Sequence, residues 1–150
     1  MPISIITAAG LFLSVAAGIG PEGKADLQKL QGTWVGVKMT VDGKPKGSGV
    51  SSWRLTIKGT ELKYSWPGDP LNQRISAMDP RPNPRRIELR DEQYKGGATS
   101  VPGRYKCVYT IEGDTLKLCM LLDPRDKFPS KIEKDKAGYR YFEWRKIKEK

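Results

Sequence analysis

The chain contains no histidine in its 150 residues. That removes every Ser-His and Cys-His catalytic pair, the His-rich zinc sites and an imidazole pH switch. Cysteine is almost as scarce, with two in the chain. Neither Cys107 nor Cys119 has an imidazole to deprotonate it, so a nucleophilic thiol is not expected. Acid is in deficit: 17 Asp and Glu face 27 Lys and Arg, a formal charge of +10. The carboxylates sit in turn-like positions (Asp69, Asp79, Asp91, Glu92, Asp114, Asp123) or opposite lysines, so no acid–base dyad and no carboxylate-rich metal loop can be drawn. The expectation is a non-enzyme that uses no cofactor and no metal. Long apolar runs are lacking after residue 20. What is plentiful is turn formers, 16 Gly and 11 Pro, in a chain that is 37% hydrophobic and 29% charged. Such a composition suits one globular domain of strands and tight connections better than long helices.

Met1 to Gly20 carry no charged side chain, and Ile3 to Val15 are almost wholly apolar. Small residues follow at Val15-Ala16-Ala17-Gly18, then Pro21 and the polar Glu22-Gly23-Lys24. The segment reads as a signal peptide over residues 1–20, which leaves a domain over 24–150 and puts the protein in a secreted or periplasmic compartment. Because no Lys or Arg precedes the apolar run, an uncleaved N-terminal membrane anchor is the alternative.

After a short helix-like stretch, Ala25 to Leu30, apolar residues fall at Val35, Val37, Met39 and Val41, the period of a strand. Residues 53–58 and 61–66 alternate about a Gly59-Thr60 turn. Pairing Lys58 with Glu61 sets Ile57 opposite Leu62, Leu55 opposite Tyr64 and Trp53 opposite Trp66, with charges on the other face. Further strands are expected at 71–78 and 85–90, at 104–111 and 115–122 around Glu112-Gly113-Asp114, and at 138–148. The inner faces of 71–78 and 138–148 are not fixed by the pattern. Eight strands with no room for crossover helices predict an all-β fold: an antiparallel up-and-down barrel behind a short N-terminal helix.

Three motifs carry a resemblance: Leu30-Gln31-Gly32-Thr33-Trp34; Asp79-Pro80 to Pro84-Arg85-Arg86-Ile87-Glu88-Leu89; and Tyr109-Thr110-Ile111-Glu112-Gly113-Asp114-Thr115-Leu116-Lys117-Leu118-Cys119. Together they resemble the lipocalin-like domain of unknown function found in planctomycete bacteria, across residues 26–148. The resemblance implies a lipocalin-like barrel and no particular activity. Two motifs depart from the family pattern. Arg125-Asp126-Lys127-Phe128-Pro129 stands for an Arg-Pro-Thr-x-Phe stretch, and the terminal-strand Arg falls among Arg145 and Lys146. In such a barrel the first strand begins where the last one ends, so Trp34 is expected to meet Arg145 or Lys146 at a closed rim together with Gly32. Lipocalins place a cation over this Trp.

The longer connections, 42–51, 67–70, 91–102 and 123–137, are expected at the opposite, open rim. Inward residues traced toward it are Met39, Val41, Trp53, Trp66, Tyr105, Met120 and Leu122. Arg140 joins them if Phe142 and Trp144 face inward; Tyr139 and Tyr141 compete for that face, and an inward Arg without a partner is costly. An apolar cup with one cation would suit a small hydrophobic ligand or an amphipathic acid. The alternative is a barrel filled by its own side chains.

A second class of function is a basic surface module that binds an anionic polysaccharide, another acidic envelope polymer or a partner protein. Positive charge gathers near the closed rim, in Arg81, Arg85 and Arg86 and in Arg145, Lys146, Lys148 and Lys150. Nucleic acid is not expected, since no aromatic row interleaves with the basic residues, and a monomer is expected. Strand parity puts Cys107 on the inner face and Cys119 on the outer one, predicting two free thiols, with Cys107 buried and Cys119 accessible.

Overall fold

A computed structural model describes residues 19–46, 49–65, 71–92, 103–123 and 127–148. It opens with helix α1 (Pro21–Leu30), longer than the expected Ala25 to Leu30. Pro21 presets the first turn, Glu22 lies at the positive end of the helix dipole and Lys29 at the negative end. Its buried residues, Gly23, Asp26, Leu27 and Leu30, recur at helical spacing and form one face. Ile19, just before it, is 4% exposed and joins the main core. The folded domain therefore begins ahead of residue 24.

Nine strands follow: β1 (Gly32–Val41), β2 (Lys44–Pro45), β3 (Arg54–Lys58), β4 (Glu61–Ser65), β5 (Leu71–Asp79), β6 (Arg85–Asp91), β7 (Arg104–Glu112), β8 (Thr115–Leu121) and β9 (Tyr139–Lys146). Apart from the two-residue β2, each strand pairs antiparallel with the next, and β9 returns to β1. Eight strands thus close an up-and-down barrel. The β3–β4 hairpin has the register that alternation predicts, Lys58 with Glu61, Ile57 with Leu62 and Leu55 with Tyr64. Trp66 lies outside the described residues.

Two bulges change the phase. In β1 the register against β9 slips between Gly36 and Lys38, and Val37, the extra residue, is 47% exposed. Trp34 and Gly36 share the inner face with Trp144 before the slip, and Met39 shares it with Phe142 after it. Val35 and Val37 are therefore not part of one inner row with Met39 and Val41. Gly36 is required by close approach: a β-carbon there would collide with the carbonyl oxygen of Val50, in the 3₁₀ turn Val50–Ser52 that crosses it. A second slip, between Ile75 and Ala77, brings Gln73, Ile75 and Met78 into the barrel.

Helix α1 plugs the closed end. Trp34 Nε1 donates to the carbonyl of Leu30 at 2.9 Å, and Gln31 both accepts from Gly59 N (2.7 Å) and donates to its carbonyl (3.0 Å). Buried Asp26 receives Arg85 Nη1 on both oxygens at 2.9 Å and the Tyr109 hydroxyl at 2.7 Å. A buried carboxylate is tolerable only with such compensation. Lys146 Nζ sits 5.2 Å over the Trp34 ring and donates to the Lys29 carbonyl at 2.8 Å. Arg145 points outward and is exposed.

The connection after β8 is not simply a mouth loop. Its described part, residues 127–137, runs as a strap down the outer wall. Phe128 lies under Arg86 and Lys106, the Glu133 carbonyl accepts from Cys119 Sγ at 3.7 Å, Thr40 Oγ1 donates to the Lys134 carbonyl, and Asp135 meets Lys38 at 3.4 Å. The reason is on the wall itself: Val108, Cys119 and Tyr141 form an apolar row across β7, β8 and β9, all buried although they face outward. That row needs a cover.

Replacing Trp34 by Ala should cost about 3–5 kcal/mol, as for other buried aromatic truncations. Denaturant unfolding followed by circular dichroism measures it. A loss under about 1 kcal/mol, the scale of ordinary surface substitutions, would mean that the plug does not depend on this side chain.

Candidate functional site

The lumen divides at mid-height. Toward α1 it is solid: Leu30, Ile57, Leu62, Ile75, Ile87, Tyr109 and Leu116 leave a gap of about 10 Å³. That is about the smallest space able to hold one water. Toward the open rim a cup of about 60 Å³ remains, enclosed by Tyr64, Leu71, Gln73, Leu89, Tyr105, Leu118, Met120, Arg140 and Phe142. Each comes from an inward position of β4 to β9, so strand parity builds the cup.

Arg140 reaches it because Phe142 and Trp144 take the inner face of β9, stacked at 6.3 Å, while Tyr141 faces the strap and donates to Glu143 at 2.7 Å. The pairing of Arg140 with Met120 on β8 and Val41 on β1 fixes the guanidinium inside. Its Nε is buried and has no hydrogen-bond partner among the described residues. Among the described residues Thr110 Oγ1 and Trp144 Nε1 share that condition, and neither borders the cup.

The other side of the cup is polar and fully connected. Tyr64 donates its hydroxyl to Gln73 Oε1 at 2.9 Å, Gln73 Nε2 donates to Asp91 Oδ1 at 2.8 Å, and Tyr105 donates to Asp91 Oδ2 at 3.1 Å. Burial first, then the nearby Cys107, Asp91 and Tyr105, push the Tyr64 phenol well above its ordinary range, so it stays a neutral donor.

Of the residues picked out from sequence, Tyr105, Met120 and Arg140 meet in this cup. Met39 stands opposite Phe142, and Trp53 packs half-buried against the core, but neither encloses it. Leu122 lies beyond the end of β8, its amide bonded to the Gly138 carbonyl at 2.9 Å. At the closed rim the cation over Trp34 is Lys146, and Gly32 pairs with Ile57 at a φ of 120° beside the Lys146 stem. Sequence reasoning missed Gln73 as a member of the site, and Asp91 as the acceptor that holds Gln73 and Tyr105. A glutamine in phase with the inner face of a strand was the available signal, hidden by the bulge that follows it.

A depression of about 440 Å³ lies outside the barrel between α1, the β5–β6 hairpin and Phe128. Its two arginines are already engaged: Arg81 with Asp79 at 2.9 Å and Glu22 at 3.7 Å, and Arg86 over Phe128 at 4.9 Å. Among the described residues no cluster of His, Cys, Asp or Glu could hold a metal, and no helix is long and apolar enough to cross a membrane. Comparison with protein-family models, with curated proteins and with solved structures finds no match to this chain.

Both cysteines are unpaired, with Cys107 opposite Met120, but Cys119 is buried rather than accessible because the strap lies on it. Burial raises both thiols, for Cys107 with a further push from Cys119. Thiol titration of the native protein should therefore find no fast-reacting group, and both only on unfolding. One fast thiol would show that the strap leaves Cys119 open.

Burial likewise raises the phenols of Tyr64, Tyr109 and Tyr141, helped at Tyr109 by Asp26 and at Tyr141 by Glu143. The folded chain holds these protons more tightly than the unfolded one. Their contribution is whole below the ordinary phenol value of about 10 and is lost as pH climbs from there toward the folded values. Tyrosinate absorbance from these three should appear together with loss of the barrel's circular dichroism. Gradual ionisation inside an intact fold would contradict the burial.

Proposed function

We propose that this chain is an exported, non-catalytic lipocalin-like barrel that binds the anionic head group of a small or amphipathic acid in its mouth, with Arg140 as the counter-charge. The observation that carries the reading is the inward guanidinium with a buried, unpartnered Nε. A buried unsatisfied donor costs about 1–3 kcal/mol, and more when charged. A barrel evolved for packing alone would do better with an apolar residue there, as it has at Met120 and Phe142. A carboxylate supplies what is missing: two oxygens matched to the guanidinium fork, in an apolar-walled space where the pair is little screened.

Size narrows the ligand. A cup of about 60 Å³ has room for a few waters, each needing about 10–15 Å³ of such space, and is far below the roughly 300–1,000 Å³ of sites that enclose drug-sized molecules. A carboxylate head fits, and an acyl chain does not fit beside it within the described walls. The basic-surface alternative has less support, because Lys146 is committed to Trp34 and Lys29 and Lys148 lies 3.8 Å from Asp114.

Export and membership of the planctomycete lipocalin-like family belong to the same reading. The motifs quoted above and a barrel of the implied kind support the family. Cleavage within residues 15–18 would leave Ile19 to fill its place in the core.

The test is a nuclear magnetic resonance titration with short carboxylates, following the Met120 methyl and Tyr105 ring signals. Both should shift on addition of propionate or butyrate, and Arg140→Met should weaken binding at least about tenfold, or about 1.4 kcal/mol. Absence of any shift, or equal binding by the variant, would overturn the proposal.

A further inference from the structure

The outer wall carries an unbalanced row of charge. At one level of the sheet, directly paired residues run Lys58, Glu61, Arg74, Arg90 and Arg104 across β3 to β7. Ile75, Leu89 and Tyr105, the strand neighbours of the three arginines, face the lumen, so the arginines face outward, and all three are exposed. The row begins as a ladder of alternating sign, which stabilises a sheet. It ends in three like charges directly opposite one another, which does the reverse.

The acids nearby do not restore the alternation at its centre. Arg74 has Glu92 at 2.6 Å and Glu61 at 3.4 Å, and Arg104 has Glu88 at 3.4 Å. Glu88 and Glu92 flank Arg90 at alternate positions of its own strand, yet each is drawn to an arginine of a neighbouring strand. Arg90 has no ion pair and no side-chain hydrogen bond among the described residues. Arg74 engages its acids through Nε and Nη2, and Arg104 its own through Nε, so each fork keeps donors turned to solvent. A glutamate at position 90 would have continued the ladder and met both neighbours. With arginine there, the chain does not supply the negative charge that the row calls for.

We propose that this row is a binding site for a phosphate or sulfate group, centred on Arg90 and shared with Arg74 and Arg104. Adjacent strands lie about 4.8 Å apart, so the three guanidinium groups spring from backbone positions within about 10 Å of one another. A carboxylate presents two oxygens in one plane and is matched by a single guanidinium fork. A phosphate presents at least three acceptor oxygens in a tetrahedron and close to two negative charges. Such a group can engage Arg90 and a neighbour together, and the sulfate ion has the same shape. The site lies on the side wall, apart from Arg140 and from the cations of the closed rim, and it does not depend on the carboxylate reading of the cup.

Titration of the full chain with sodium phosphate, sodium sulfate and sodium acetate at matched ionic strength, followed through the arginine Nε–H resonances, tests it. Phosphate or sulfate should shift the Arg90 signal together with that of Arg74 or Arg104, and acetate should do so less. Arg90→Gln should weaken the binding seen at the other two arginines at least about fivefold, the loss of a charge-assisted contact at a partly screened site. In sodium chloride alone the same variant should melt no lower than the wild type, because it relieves the opposed charges. A lower Tm would mean that Arg90 serves the barrel itself and would overturn the site. Columns of dextran sulfate and of neutral dextran distinguish the source: retention on the sulfated polymer that Arg90→Gln abolishes, without a response to the free ions, assigns the group to a polymer, and saturation by the free ions assigns a small oxyanion. Equal response to acetate, binding unchanged in Arg90→Gln, or no response to any of these probes would overturn the proposal.

Discussion

One side chain, Trp34, touches both devices that close the barrel, the helical plug and the seam between β1 and β9. The indole of Trp34 is fully enclosed, and its two chemical faces do separate work: the N–H holds the last turn of α1 by the Leu30 carbonyl, and the ring carries the ammonium of Lys146 from the end of β9. The first ties the helix across the end of the lumen, and the second adds to the seven paired positions that hold the last strand beside the first. Without a plug, water would reach the inner faces of eight strands. Without the seam, a curled sheet would have two long edges. Asp26, Arg85 and Tyr109 then fix the far side of the helix to β6 and β7, and that ionic contact needs the helix already in place.

The plug also decides where chemistry can occur. Leucine, isoleucine and Tyr109 pack beneath α1 to a density that excludes solvent, so the lower half of the barrel can only be structure. Moving upward, the strands end in side chains that are longer, flatter or polar, and packing gives way to a small hollow. Polar groups inside a barrel are costly wherever they lack partners. A connected network on one side and, on the other, a guanidinium whose Nε has no partner among the described residues separate the cup from the packed half below it.

Much of this was legible in the sequence, and the exceptions share a cause. Strands without bulges told the truth: β3 and β4 sorted charge from core by parity, and β7 and β8 placed Cys107 inside and Cys119 outside. Where a residue was inserted, parity misled. Val35, Val37, Met39 and Val41 look like one row, yet the slip at Val37 assigns the first two to the opposite face from the last two. Gln73 was concealed by the slip after Ile75, and Asp91 looked like a turn acid because β6 runs one residue further than its apolar pattern. The strap was invisible for another reason. Its residues follow no period, since each is chosen by a different part of the wall it covers. An outward row that is apolar, Val108, Cys119 and Tyr141, was the only written sign that something must lie there.

The two-residue strand β2 has a consequence for how the protein behaves at high concentration. A closed barrel has no free strand edge, and among the described residues β2 alone pairs on one side only. Its two residues are Lys44 and Pro45, both exposed. Proline has no amide hydrogen to offer a neighbouring chain, and the lysine charge repels a second copy of itself. The one place where the sheet could be extended by another molecule therefore ends in the two residue types least able to accept it, which protects a strand-rich, strongly cationic chain from edge-to-edge aggregation.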